Sequence, residues 1–191
     1  MKICALGDSI FAGYLVNGKS LIYHLMKKGY SIDNYGVNGL TSDELLSAIY
    51  NIINYDIYLI HIGLNDILNG YSLDKIFNNI LKIIKHLDTF DSKIYICSPY
   101  KLEYKNVSKS LLFFESFNSA NKKIETFDEK IKAIKSHTNI EVISFYDYSL
   151  KNPIGDDLID GIHPNENLHR KLANYVEELI NGHIWYLDQK I

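Results

Sequence analysis

The run Asp56-Ile-Tyr-Leu-Ile-His-Ile62 constrains the fold more than any other stretch of this chain. It is apolar at successive positions rather than alternate ones. A strand of that kind has no wet face and belongs inside a parallel sheet covered by helices on both sides. Four further runs predict strands: Ile3–Leu6, closed by Gly7; Ile32–Tyr35, weakly; Lys93–Ser98, ending at Pro99; and Glu141–Phe145. Between them the apolar spacing changes to that of a helix. Leu21, Ile22, Leu25 and Met26 mark one helix face, ended by Gly29. A second helix begins at Ser42 with Leu45, Leu46, Ile49, Ile52 and Ile53 on one side. A third opens at Ser72 and Asp74 and carries Ile76, Ile80, Ile83, Ile84 and Leu87. A long one is expected over about Phe117 to Ser136. The last follows Pro164, with Asn165 as N-cap, Leu168, Leu172, Tyr175, Val176 and Leu179 on its core face, and Gly182 as the stop.

The order βαβαβαβαβα predicts an α/β fold: a flavodoxin-like three-layer α/β/α sandwich on a mainly parallel five-stranded sheet. The 191 residues, 47% of them apolar, fit one domain over 1–191. Within it, residues 100–116 are too long for an ordinary βα loop. Leu102, Tyr104, Leu111, Leu112, Phe113 and Phe114 make this segment either a helix extension packed on the core or a wall or lid of a pocket.

Composition excludes several classes. The net charge is −3 and Arg170 is the lone arginine, so nucleic acid is not an expected partner. No apolar stretch reaches the roughly 18 residues of a membrane span. The start, MKICALGDS, lacks the h-region of a signal peptide, and the expected compartment is the cytoplasm. Cys4 and Cys97 lie in strand-like runs and read as buried free thiols. No metal-ligand cluster and no glycine-rich nucleotide loop occurs, so no metal and no cofactor are expected.

In open parallel sheets, ligands bind at the carboxyl ends of the strands. Four segments fall there: Gly7-Asp8-Ser9, Gly36-Val-Asn-Gly39, Gly63-Leu-Asn65-Asp66 and Asp160-Gly-Ile-His163. Acyl transfer needs a nucleophile, a base and donors for an oxyanion. Ser9 follows a strand in a tight turn that would expose its hydroxyl. Asp160 lies three residues before His163 and can fold back onto the imidazole Nδ1–H, leaving Nε2 to act as base. Asn65 could aim its amide into the same space, and Gly39 could offer a bare backbone N–H. Each also fits an ordinary turn; the occurrence of all four at strand ends singles them out. Asp8 and Asp66 read as turn and supporting groups, and His61 as a core or supporting histidine. His24, His86, His137, His169 and His183 read as solvated helix residues.

These segments resemble the blocks of the SGNH/GDSL hydrolases. Gly7-Asp8-Ser9-Ile-Phe-Ala-Gly13 is similar to the first, Gly36-Val-Asn-Gly39 to the second, Gly63-Leu-Asn65-Asp66 to the third, and Asp160-Gly-Ile-His163-Pro164 to the D-x-x-H block. The resemblance runs from residue 3 to about 176. It implies the SGNH hydrolase fold, Ser9 as nucleophile, His163 as base and Asp160 as its orienter. It also implies an oxyanion hole of the Ser9 N–H, the Gly39 N–H and the Asn65 side chain. Leu64 stands where a small or hydroxyl residue is common, and with Phe113 and Phe114 it is a candidate substrate contact. The expected substrate is a small-molecule ester or thioester of a small to medium acyl group. A carbohydrate O-acetyl esterase would use the same machinery. A non-enzymatic flavodoxin-like binding module would not need a base with its own orienter. Nothing in the sequence sets the oligomeric state.

Overall fold

Five parallel strands form one sheet in the computed structural model, which describes residues 1–52, 55–88, 92–103, 116–134 and 139–188, with side chains to residue 182. Side by side they are β2 (Ser31–Gly36), β1 (Lys2–Gly7), β3 (Ile57–His61), β4 (Lys93–Ser98) and β5 (Ile140–Ser144). The run that anchored the sequence reading is β3, buried at every position in the middle of the sheet. The weak second strand lies at the sheet edge. Ser31, Asn34 and Tyr35 are exposed there, which explains its diluted apolar pattern.

Parallel neighbours must be joined by crossovers, and these carry the helices. They are α1 (Ser9–Ala12) and α2 (Leu21–Lys27) after β1, α3 (Ser42–Ala48) after β2, α4 (Leu64–Leu68) and α5 (Leu73–Leu87) after β3, and α6 (Phe117–Lys132) after β4. Beyond β5 come α7 (Phe145–Lys151) and α8 (Glu166–Asp188). The chain steps one way from β1 to β2 and the other way from β2 to β3 and onward. Right-handed crossovers therefore put α2 on one face and α3, α5 and α6 on the other. α8 packs against α2, and α5 against α3 and α6. The result is the flavodoxin-like three-layer α/β/α sandwich.

Local chemistry sets the helix starts. Ser20, Ser72 and Ser116 each accept an N–H of the first turn, and Thr41 with Glu44 closes a capping box. The Asn165 side chain accepts the Leu168 N–H at 2.9 Å, as expected of an N-cap. Several boundaries differ from the sequence reading: α3 ends at Ala48, where Ile49 to Asn51 tighten into a 3-10 turn, and three others shift as follows. β5 ends at Ser144, and Phe145 opens a short helix, α7, that was not expected; its signal is Ser144-x-x-Asp147, with the Ser144 hydroxyl accepting the Asp147 N–H at 2.9 Å. α6 stops at Lys132, short of Ser136, because Ala133 caps it. α8 runs through Gly182 instead of ending there. A glycine inside a helix costs about 1 kcal/mol but breaks nothing, and the buried face of α8, from Leu168 to Ile180, outweighs it.

Cys4 and Cys97 are free and fully buried, and burial pushes the Cys4 thiol up to about 12. Tyr100 and Leu102 are fully buried too, so the start of the long β4–α6 connection belongs to the core. Tyr104, Leu111, Leu112, Phe113 and Phe114, the rest of the expected wall or lid, lie outside the described residues. So do Ile53 and His137, together with the side chain of His183. No helix among the described residues is long and apolar enough to cross a membrane.

Three of the histidines expected to be solvated are covered to differing degrees. His24 and His86 are half-buried, and His169 is completely buried. The reason lies at the start of α2. Its first N–H, from Leu21, has no partner within the helix and donates instead to His169 Nδ1 at 3.1 Å. Burial, aided by His24, His163 and His61, lowers the His169 pKa from 6.5 to about 3. Between those two values the unfolded chain binds a proton that the folded protein refuses, so stability falls as pH drops through that window. His169→Gln keeps an acceptor for Leu21 but does not titrate. Thermal unfolding followed from about pH 8 to pH 4 should show Tm falling more steeply in the wild type than in this variant. Parallel curves would refute the assignment.

Candidate active site

The strand register lines up the ends from which the candidate residues leave the sheet. Gly7 is level with Gly36 on one side and with His61 on the other. The segments after β1, β2 and β3 therefore emerge beside one another, at the point where the strand order reverses. After Gly7 the chain turns directly into α1. Asp8 is its N-cap and Ser9 its first residue. Asp8 Oδ1 accepts the Ile10 N–H at 2.9 Å and lies 3.2 Å from His61 Nδ1, both side chains being fully buried. The His61 ring sits between Phe11 and Phe145. Gly36 permits the turn from the other side: a Cβ there would stand 2.4 Å from the Ala12 nitrogen, so only glycine lets α1 lie on the end of β2. Asn34 Nδ2 then donates to the Phe11 carbonyl at 2.8 Å.

His163 reaches the same place from the loop before α8. Its Nε2 lies 3.0 Å from Ser9 Oγ, and its Nδ1 lies 2.7 Å from Asp160 Oδ2. The other carboxylate oxygen of Asp160 accepts the backbone N–H groups of Ile162 (3.1 Å) and His163 (2.8 Å). Burial acts to raise the Asp160 pKa, but the hydrogen bonds and charge of His163 outweigh it and hold the carboxyl below its usual range. The loop is tied down by the Tyr100 hydroxyl, which donates to the Ile162 carbonyl at 2.6 Å, and by Ile159 N–H, which donates to the His163 carbonyl at 2.8 Å. Ser9 and His163 are 6% and 8% exposed: nearly enclosed, yet open on one side. With Asp160 holding Nδ1, the imidazole can accept the Ser9 proton at Nε2.

Gly39 sits in the loop after β2 with φ 79°, the left-handed region where glycine carries no Cβ penalty. Asn65 is the second residue of α4, and its Nδ2 donates to the Leu40 carbonyl at 3.0 Å. That bond ties the Asn65 amide to the Gly39 loop and leaves its second N–H to point elsewhere. Asp66, expected only as a supporting group, grips the same loop. Its buried carboxylate accepts the Ser42 N–H at 2.9 and 3.1 Å and the Ser42 hydroxyl at 2.6 Å. Burial raises the Asp66 pKa against the opposing pull of these bonds. Leu64, the expected substrate contact, is 2% exposed and packs in the core, while Asn65 beside it is half-buried. Phe113 and Phe114 lie outside the described residues. Among the described residues, no group of three or more His, Cys, Asp or Glu could hold a metal ion.

Comparison with known proteins gives the chain a family. The family model described as GDSL-like Lipase/Acylhydrolase matches residues 5–171. A multidomain esterase of Ruminococcus flavefaciens is 25% identical over 91% of this chain. The chain spans 23% of that relative's length. A lipolytic protein of the G-D-S-L family from Veillonella parvula superposes with a TM-score of 0.76 at 23% identity, covering 95% of this chain and 98% of the other. The lipase/acylhydrolase from Enterococcus faecalis gives 0.76 at 19% identity, over 95% and 96%. At those identities the two structures speak for the shared fold. The family model, covering most of the sequence, speaks for descent: the chain belongs to the GDSL-like lipase/acylhydrolase family, whose members are hydrolases acting on ester bonds.

Proposed function

We propose that this chain is a single serine hydrolase domain that cleaves carboxylic esters or thioesters of small to medium acyl groups. The observation that carries the reading is the unbroken chain Ser9 Oγ–His163 Nε2, 3.0 Å, and His163 Nδ1–Asp160 Oδ2, 2.7 Å. Ser9 attacks the acyl carbon as its proton passes to His163, and Asp160 stabilises the imidazolium that forms. The negative charge that builds on the carbonyl oxygen meets the Ser9 N–H, the Gly39 N–H and the Asn65 amide. Collapse expels the alcohol or thiol, which takes the proton back from His163. A water activated by the same imidazole then frees the acid from Ser9.

Ser9→Ala should keep the fold and lower ester turnover by roughly a thousandfold or more. An organophosphonate should label the wild type at Ser9 and leave the variant unmodified. Near-wild-type turnover in Ser9→Ala would sink the reading.

Activity should fall on acidification, because a protonated imidazole cannot accept from Ser9, while Asp160, held below the usual carboxylate range, stays ionised. His163→Ala should lose as much activity as Ser9→Ala. Asp160→Asn should lose less, since an imidazole without its orienter keeps some basicity. A kcat/KM profile that is flat across the acid and neutral range would contradict this.

Asn65→Ala should depress kcat by about a hundredfold, the effect of losing one oxyanion donor, with little change in KM. A raised KM with kcat intact would make Asn65 a ground-state binding group instead.

A further inference from the structure

The turn that follows α1 adopts a conformation that L residues avoid. Leu15 (φ 64°) and Asn17 (φ 51°) are the residues other than glycine with positive φ among those described. Gly13 and Gly18 flank them at 77° and 78°, and a Cβ on Gly13 would stand 2.7 Å from the Gly18 carbonyl carbon. Hydrogen bonds hold the turn in this form: the Gly13 and Tyr14 N–H groups both donate to the Ser9 carbonyl, at 3.0 and 3.1 Å, and the Gly18 N–H donates to the Gly13 carbonyl at 3.1 Å. Strain maintained this firmly points to a placement that matters. What it places is the Tyr14 ring, edge-on to the His163 imidazole, with centroids 4.8 Å apart and planes at 65°.

Tyr14 remains 43% exposed, and Leu15 beside it 47%, so both leave surface that a bound molecule can reach. The chemistry says which part of a substrate meets them. The group that receives the proton from His163 Nε2 is the departing oxygen or sulfur. The carbon skeleton attached to that atom must therefore lie against whatever packs on the imidazole and is still open. We propose that Tyr14, with Leu15, forms the leaving-group wall, and that the enzyme favours esters whose alcohol or thiol part is apolar close to the scissile bond. This rests on the acyl-transfer reading above. It adds a selectivity on the side of the alcohol, separate from the acyl chain.

The test holds the acyl group and the reactivity of the alcohol nearly constant, comparing 2-phenylethyl acetate with ethyl acetate. The wild type should prefer the first in kcat/KM. Tyr14→Ala should lower that preference about tenfold, and Tyr14→Phe should retain it. An equal fall for both esters would make Tyr14 a mere brace for His163 and overturn the inference, as would an unchanged ratio. Should Tyr14→Ala fail to fold, product inhibition of the wild type decides: 2-phenylethanol should inhibit at concentrations where ethanol does not, and equal inhibition overturns the inference. A chain that an organophosphonate labels at Ser9 but that does not cleave the phenylethyl ester overturns this inference alone. A chain that is neither labelled nor active overturns the esterase reading and this inference with it.

Discussion

The pairing of β1 between β2 and β3 is the constraint on which the rest of the molecule hangs. It is parallel on both sides, so neither neighbour can be reached by a tight turn. Each must be reached by a crossover, and each crossover starts at the same edge. Because Gly7 is level with both Gly36 and His61, the first residues beyond the three strands rise from one line. A shift of one residue in either pairing would exchange the side chains that β1 presents to the two helix layers, both of which are packed against it, and carry Ser9 away from the Gly39 loop. The core therefore enforces the register, and the register aligns the loops.

Burial of polar groups then fixes those loops, and three buried carboxylates, Asp8, Asp66 and Asp128, each meet a group on another element. Asp8 holds the first turn of α1 and faces His61. Asp66, on α4, holds the start of α3. Asp128, on α6, accepts the hydroxyls of Ser98 at 2.5 Å and Ser144 at 2.7 Å, which lie opposite one another at the ends of β4 and β5. A buried carboxylate without donors would be costly, so each one specifies where its partner element must end. The sheet edge becomes a lattice of mutual grips in which little can shift alone.

The sheet was legible because its signal is local: five apolar runs, each bounded by glycine, proline or a charge. The candidate site was legible because glycine, serine, asparagine, aspartate and histidine stand at run ends, where apolar residues would otherwise be expected. What escaped is what depends on a distant partner. His169 looks like a solvated helix residue until Leu21, 148 positions away, is seen donating to it. Leu64 and Asn65 are adjacent in sequence, and only the start of α4 at Gly63, φ 108°, decides which faces the core and which the loop after β2. α7 was masked by the strand before it, since Phe145 continues the apolar run of β5 into the helix. Tyr14 gave no sign at all, because its position follows from a backbone conformation that its neighbours' side chains do not announce.

The hydrogen bond from Ser9 to His163 spans 154 positions of sequence. Between them lie four of the five strands and all but two of the helices. A ribosome-bound chain therefore carries its serine exposed for most of its synthesis with no base beside it. The hydroxyl then lacks the base that the proposed reading requires. Assembly of the pair requires the last crossover and the loop before α8 to be in place. On the proposed role of Ser9, its reactivity would report that the chain has closed on itself from end to end.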